Sequence, residues 1–307
     1  MATGRVVVTG ATGLIGRQVC AALISKGYEV VVFSRNPQSA QAKVPGAADY
    51  VAWTPAETGP WASAIDGAHG VISLAGASIA GKRWTPEYKR EILETRIVGT
   101  RGLVAAMAAA KEKPQVFVSG SAIGYYGPRD STPLDERAQP GESFLSDVVI
   151  AWEAEAMKAE ALGVRTALIR TGVVLAKEEG ALPQMTLPFK FFAGGPILPG
   201  TQWVSWIHHR DEVGLIVLAL ESEQARGPIN AVAPGAQMYK DFARTLGSVM
   251  GRPSWAPVPG FAVQIMVGES AELVTTGQRV VPKRAQELGY RFQYPTSEGA
   301  LREILKS

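Results

Sequence analysis

The clearest chemistry in this chain is carried by three glycines and one arginine. Thr9-Gly10-Ala11-Thr12-Gly13-Leu14-Ile15-Gly16 spaces its glycines GxxGxxG. The turn follows a β-branched run and opens a stretch of apolar residues at helical spacing. In such a turn Gly10 allows the tight bend, Gly13 lets the backbone approach a pyrophosphate, and Gly16 lets the helix pack on the strand. The N–H groups of the helix start, at Thr12, Gly13, Leu14 and Ile15, then face the anion together with the helix dipole. A turn that serves only packing, or that holds another phosphate, is the competing reading. The next strand ends in Ser34-Arg35-Asn36, with no acid until Asp49. An acid at that place bonds a ribose 2′-hydroxyl, whereas a guanidinium matches a 2′-phosphate in charge and geometry. Arg35 therefore points to NADP(H), against the alternative of a solvated surface arginine.

A second group of residues suits a planar or anionic small molecule. Arg83 and Trp84 are adjacent, and Trp203 and Trp206 stand close together further on. Tryptophan beside arginine can stack on such a molecule and neutralise it, although tryptophans also serve as core or interdomain packing. The histidines are His69, His208 and His209, and the one cysteine is Cys20. They form no spaced ligand set, so no metal is expected.

The elements that must position these residues alternate regularly. Arg5 to Thr9 (RVVVT) reads as a strand buried on both faces. Leu14, Ile15, Val19 and Leu23 recur at helical spacing, and Gly27 closes that helix. Glu29 to Phe33 is the second strand, which makes a βαβ unit and hence a parallel sheet. Tyr50 to Trp53, Gly70 to Leu74, Gln115 to Ser119 and Arg165 to Arg170 continue the strands. Long helices are predicted over Thr85 to Ala110 and Ser143 to Leu162. This is an α/β, doubly wound Rossmann pattern. Beyond it, Gly194 to Gly200 reads as a loop, Trp203 to Ile207 as a short strand and Asp211 to Leu220 as a helix. After Asn230 the helices are short and broken by proline and glycine. We expect a dinucleotide-binding domain over residues 1–235, with 172–208 contributing to a smaller substrate lobe, and a small C-terminal domain over 236–307.

The composition narrows the class further. The 307 residues are 46% apolar and 19% charged, an ordinary globular balance. The 33 glycines and 20 prolines argue against a simple helix bundle, and a single cysteine excludes an internal disulfide. A formal charge of +3 is too small to argue for nucleic acid. No apolar run is long enough for membrane insertion. With no leader visible, the expected location is the cytoplasm, or an organelle stroma or matrix if a transit peptide was removed.

With these residues in view, the chain resembles the extended short-chain dehydrogenase/reductase superfamily. Gly10, Gly13 and Gly16 follow that group's glycine pattern. Leu74-Ala75-Gly76 stands where such proteins line the cofactor, and Ser119 to Gly127 (SGSAIGYYG) resembles the segment after their fifth strand. Leu74 to Thr85 (LAGASIAGKRWT), Lys89, Arg96, Gln202 to His208 (QWVSWIH) and Gly277-Gln278-Arg279-Val280 narrow the resemblance. They are similar to the atypical subgroup labelled "epimerase family protein", which has a small C-terminal domain of unknown function and cell-division-inhibitor-like relatives. The resemblance implies NADP(H) binding, a small-molecule substrate and, in many relatives, a homodimer.

The resemblance also implies a Tyr-x-x-x-Lys pair for proton transfer, and here the sequence departs from it. None of the eight tyrosines is followed four residues on by lysine. Ser146 and Ile150 stand about where the pair would be. Ser121 best matches the serine that holds the substrate carbonyl. Tyr125 or Tyr126 could give the proton beside it, and Lys89 or His208 could supply a cation. Bland readings stand beside each: the tyrosines pack, Lys89 is solvated, and His208 holds a loop or caps a helix. Three functions follow. The first is NADPH-dependent reduction of a small carbonyl-type compound. The second is an NADP(H)-binding regulatory, assembly or division factor with little turnover. The third is a sugar-nucleotide epimerase.

Overall fold

In a computed structural model the chain is described over residues 4–55 and 59–306. Strand β1 (Arg5–Thr9) runs into helix α1 (Leu14–Ser25) through the glycine turn, and strand β2 (Glu29–Ser34) returns beside β1. Then come α2 (Pro37–Lys43), β3 (Asp49–Ala52), β4 (Gly70–Ser73), α3 (Pro86–Ala109), β5 (Val116–Ala122), α4 (Phe144–Met157) and β6 (Arg165–Thr171). The remaining elements are β7 (Val173–Leu175), α5 (Leu182–Lys190), β8 (Trp203–Val204), β9 (Trp206–His208), α6 (His209–Glu221), β10 (Gly227–Ala231) and β11 (Gln237–Met238). Helices α7 (Tyr239–Met250), α8 (Gly260–Val267), α9 (Glu272–Thr275), α10 (Lys283–Glu287) and α11 (Ser297–Lys306) complete the chain.

Seven strands form one parallel sheet in the order β10-β6-β5-β4-β1-β2-β3. The order reverses between β1 and β4, and that switch point is where a doubly wound sheet opens a ligand crevice. Both faces are buried because alternate residues of one strand point to opposite sides. Val6 and Val8 pack with α1 and α6, while Val7 packs with Leu103 and Met107 of α3 and Ala156 of α4. No helix among the described residues is long and apolar enough to cross a membrane.

The sequence places the principal strands and long helices within a few residues, and the caps explain why. The Thr85 hydroxyl accepts the Tyr88 N–H at 3.2 Å and Pro86 opens α3. The Ser143 hydroxyl accepts the Ser146 N–H at 3.1 Å and starts α4. Two differences matter. The segment read as one strand over Trp203–Ile207 is two: β8 pairs antiparallel with β11, and β9 pairs parallel with β7. Between them the Ser205 hydroxyl donates to Gln278 O (2.8 Å) and accepts Val280 N–H (2.9 Å), which turns the chain. Strand β10 is not apparent in the sequence, because Gly227 and Pro228 lower its β propensity; as an edge strand it tolerates the proline.

A third core sets α5, α7 and α11 around Trp206, with Phe189, Phe242, Leu246 and Leu301 all buried. The chain after α7 then lies across the connections that follow β4 and β5. The Arg129 N–H donates to Gly277 O (3.1 Å), Leu134 N–H to Arg279 O (2.8 Å), and Gln278 Nε2 to Ile123 O (2.8 Å).

The glycine turn yields a test of the packing argument. A side chain on Gly16 would begin 2.2 Å from Gly10 O, whereas one on Gly13 meets that atom at an ordinary 3.4 Å. Gly16→Ala should therefore cost about 1–3 kcal/mol in urea unfolding of the cofactor-free protein. Gly13→Ala should cost under about 1 kcal/mol. Equal losses would contradict this account of the turn.

Candidate functional site

The site begins at the switch point. Gly10 has φ +68°, and a side chain there would begin 2.6 Å from the Leu74 carbonyl carbon, so only glycine lets the turn close on the segment after β4. The Gly13 N–H donates to Gly10 O at 3.0 Å. Gly13 then caps α1 without any side-chain hydrogen bond, and no acid occupies the first turn. The start of α1 is thus a bare, partly exposed row of N–H groups that could hold a pyrophosphate. Thr12 is tied in place, its carbonyl accepting Arg17 Nη1 at 2.9 Å. Across the crevice, Leu74 N–H donates to Thr9 O (3.2 Å) and Ala75 N–H to Thr9 Oγ1 (3.3 Å), which leaves Gly76 exposed at the rim.

At the end of β2 the Ser34 hydroxyl accepts the Asn36 N–H (3.2 Å), and Asn36 caps α2 by accepting the Ser39 N–H (3.0 Å). This turn holds Arg35 exposed, with no hydrogen bond or ion pair among the described residues. A guanidinium left without a protein partner beside an uncapped helix is the arrangement a 2′-phosphate requires. The residues present therefore fit a phosphorylated dinucleotide.

The catalytic candidates are arranged differently from expectation. Ser121 is buried, and its hydroxyl lies 2.5 Å from Glu153 Oε1. Arg170 grips the same carboxylate with two bonds, Nε to Oε1 (2.8 Å) and Nη2 to Oε2 (2.7 Å). A carboxylate held this way only accepts, so the serine proton points at Glu153. Here the Ser121 hydroxyl is spent on Glu153 and is not offered to a substrate carbonyl, unlike the role expected of it. Tyr126 is corrected too. It is fully buried, its hydroxyl donating to Asn230 Oδ1 (2.7 Å) and accepting Arg170 Nη1 (2.9 Å). Burial pushes its phenol up to about 12, even against the nearby Arg170 charge. Tyr125 is half-buried, with its ring centroid 3.5 Å from the Arg170 guanidinium carbon, and its hydroxyl has no partner among the described residues. Where the tyrosine of a Tyr-x-x-x-Lys pair would stand, the buried Ser146 hydroxyl donates to Gly124 O at 3.0 Å.

The proposed substrate cluster does not assemble as one pocket. Trp84 is buried, its Nε1 donating to Ile79 O (2.7 Å), and it packs edge-on against Phe144. Trp206 is fully buried in the third core and donates to Gly235 O (2.9 Å). Both are packing residues, because an indole with its ring in a core and its N–H on a carbonyl has nothing left for a ligand. His208 is fully buried and caps α6, its Nδ1 accepting the Arg210 N–H at 3.1 Å. Its proton therefore lies on Nε2 and is donated to Glu303 at 2.9 Å. The fold does bring His208, His209 and Glu303 together, yet this bonding leaves His208 no free lone pair for a metal. Three residues remain around the crevice. Arg83 is exposed and donates to Ile265 O (3.3 Å), Lys89 pairs with Glu269, and Trp203 lies under Arg279 with its Nε1 on Ser131.

One buried group was missed by sequence reading. Glu212 follows Asp211 in the first turn of α6, where acids ordinarily serve the helix dipole. It is almost wholly enclosed, with Oε1 accepting Thr171 Oγ1 at 2.7 Å and Oε2 unpartnered. Nothing in the sequence separates it from an ordinary first-turn acid.

Together, the sheet order, the uncapped α1 and the crevice between β1 and β4 define a nicotinamide-dinucleotide-binding Rossmann protein. Comparison with known proteins agrees. The description "NAD dependent epimerase/dehydratase family" matches residues 6–232, and a "Domain of unknown function" matches 258–304. The chain belongs to the NAD-dependent epimerase/dehydratase family. It is 42% identical over 303 residues to the Arabidopsis thaliana "Epimerase family protein SDR39U1 homolog, chloroplastic", covering 98% of this chain and 86% of that protein. It is 39% identical to "Epimerase family protein YfhF" of Bacillus subtilis, covering 98% and 97%. A crystal structure of human epimerase family protein SDR39U1 (isoform 2) with NADPH superposes with a TM-score of 0.87 at 32% identity, covering 99% of both chains.

Burial raises the Glu212 carboxyl from its usual 4.5 to about 8. Below the unfolded value both states hold the proton and its stabilisation is complete. Above it the folded state alone keeps the proton, so stability declines until pH passes the folded value. Urea midpoints should therefore fall between about pH 5 and pH 8, and Glu212→Gln should flatten that decline. An unchanged slope in the variant would assign the decline to another group.

Proposed function

We propose that this chain binds NADP(H) and acts as an oxidoreductase on a small carbonyl-type compound. The observation that carries the cofactor assignment is Arg35, exposed and without a partner among the described residues, at the end of the strand paired with β1, whose turn leads to the uncapped start of α1. The pyrophosphate lies on the turn from Gly10 to Ile15 and the 2′-phosphate on Arg35. NADPH bound in the human relative supports the same choice. When bound, the cofactor supplies a hydride. The chain supplies the proton: Tyr125 gives its hydroxyl proton to the substrate oxygen, and the phenolate left behind lies against the Arg170 guanidinium. Ser121 does not take part directly; through Glu153 it helps to hold Arg170 under Tyr125.

A second reading has its own observation. Ser121, Tyr126 and Ser146 all have their hydroxyls committed inside the protein. That favours an NADP(H)-responsive binding protein with little turnover. It also weighs against sugar-nucleotide epimerisation, which needs a base at the position Ser146 occupies. The compartment follows the sequence reading, cytoplasm or organelle stroma; the word "chloroplastic" in the Arabidopsis relative's name supports the latter for some members.

The cofactor assignment and the choice between the two readings are tested separately. In calorimetric titration, Arg35→Ala should weaken NADPH binding by at least about tenfold and NADH binding by no more than about twofold. Equal losses would remove the 2′-phosphate assignment. In a screen of carbonyl pools for NADPH oxidation, Tyr125→Phe should abolish turnover while NADPH affinity is retained. Full turnover in that variant would place the proton donor elsewhere. Wild-type protein that binds NADPH tightly yet turns over no pool would favour the second reading.

A further inference from the structure

Arg96 stands on α3 with a charge that no carboxylate among the described residues meets. Its Nη1 donates to the carbonyls of Ala77 (3.0 Å) and Ile92 (2.9 Å). Nε and Nη2 have no acceptor among the described residues. Arg96 is half-buried, whereas the two buried arginines are satisfied. Arg170 is clamped on Glu153, and Arg165 spends its guanidinium on the carbonyls of Ala219, Leu220 and Ala225 at the end of α6. Burial pulls Arg96 down to about 10, the shift expected of a cation that no carboxylate among the described residues meets.

Its location is specific. The guanidinium carbon lies 3.0 Å from where a side chain on Gly76 would begin, so the glycine leaves room for it at the crevice rim. One face looks onto Trp152, whose ring centroid is 5.2 Å away. Trp152 is fixed by its Nε1 bond to Thr100 Oγ1 (3.0 Å) and packs beneath Gly120, 3.1 Å from the place of a missing side chain. Ser73 O is equally close to that place. Arg96, Gly76, Trp152, Gly120 and Ser73 thus share one neighbourhood at the carboxyl ends of β4 and β5. A planar cation with one donor edge free and its stem and face fixed is suited to two parallel bonds with an anion.

We propose that Arg96 is an anion subsite of the candidate active site, and that it takes a carboxylate or phosphate group carried by the substrate. The substrate class is then a keto acid or a phosphorylated carbonyl compound, which rests on the oxidoreductase reading; the anion site itself does not.

The test uses the full chain loaded with NADPH and titrated with oxalate and, separately, with inorganic phosphate, read by calorimetry. Wild-type protein should bind one of the two. Arg96→Gln should weaken that binding by at least about tenfold with NADPH affinity changed by less than about twofold. Which probe binds tells carboxylate from phosphate. The proposal is overturned if wild-type protein binds neither probe, if Arg96→Gln binds the probe as wild type does, or if the variant loses NADPH instead. Should Arg96→Gln fail to fold, Arg96→Lys decides. It keeps the charge without the two-donor edge, so affinity should fall by at least about threefold, and unchanged affinity overturns the subsite. Arg96-dependent binding without turnover of any keto acid or phosphorylated carbonyl leaves the subsite standing and removes the oxidoreductase reading. Turnover confined to neutral carbonyls and unaffected by Arg96→Gln does the reverse.

Discussion

The interaction on which most of this molecule depends is the buried pair between Arg170 and Glu153. Two charges of a side chain each, both nearly sealed from water, are costly unless every donor and acceptor is met. Here they are met. Glu153 also accepts Ser121, Arg170 also donates to Tyr126, and Tyr126 passes the connection to Asn230. Asn230 in turn donates to Val281 O and, through its backbone, to Glu136. One ion pair therefore joins β5, α4, β6, β10 and the C-terminal segment. Removing either Arg170 or Glu153 would leave the other charge buried and unpaired, and removing a neutral member would leave a buried polar group without its partner.

That network also decides which side chains are free for chemistry. The serine and one tyrosine of the segment after β5 are held inside it, and the adjacent Tyr125 has its ring against the same arginine and its hydroxyl without a partner among the described residues. The cofactor end of the site obeys an opposite rule. At α1 and Arg35, among the described residues, donors and a cation are left unmatched, as the proposed phosphorylated ligand would require. Arg96 follows this second rule at the other end of the crevice. Satisfied groups build the floor, and unsatisfied ones mark where a ligand belongs.

The C-terminal part of the chain completes the site rim more than it forms a separate body. It reaches back to the connections after β4 and β5 through Gly277, Arg279, Gln278 and Glu269. The third core, built on Trp206 and α7, α5 and α11, gives these contacts a rigid base. Of the tryptophans that looked like a ligand platform, Trp206 serves this base and Trp84 the loop beside α3.

The sequence by itself determined the parallel sheet, the glycine turn and the cofactor end of the site. These are local or periodic properties: β-branched runs buried on both faces, caps at Thr85 and Ser143, and an arginine at the end of a strand. It also showed that the usual Tyr-x-x-x-Lys pair is missing, since that is a matter of spacing alone. Only the tertiary structure decided which polar residues are committed and which are free. Ser121 and Glu153 lie 32 residues apart, and Tyr126 and Asn230 lie 104 apart. Glu212 looks like any first-turn acid until packing encloses it, and His208 looks like a ligand until its two nitrogens are seen to cap α6 and hold Glu303. The physical reason is the same in each case. Burial and partnership are set by what the rest of the chain brings alongside, and a side chain's type and place in the sequence do not contain them.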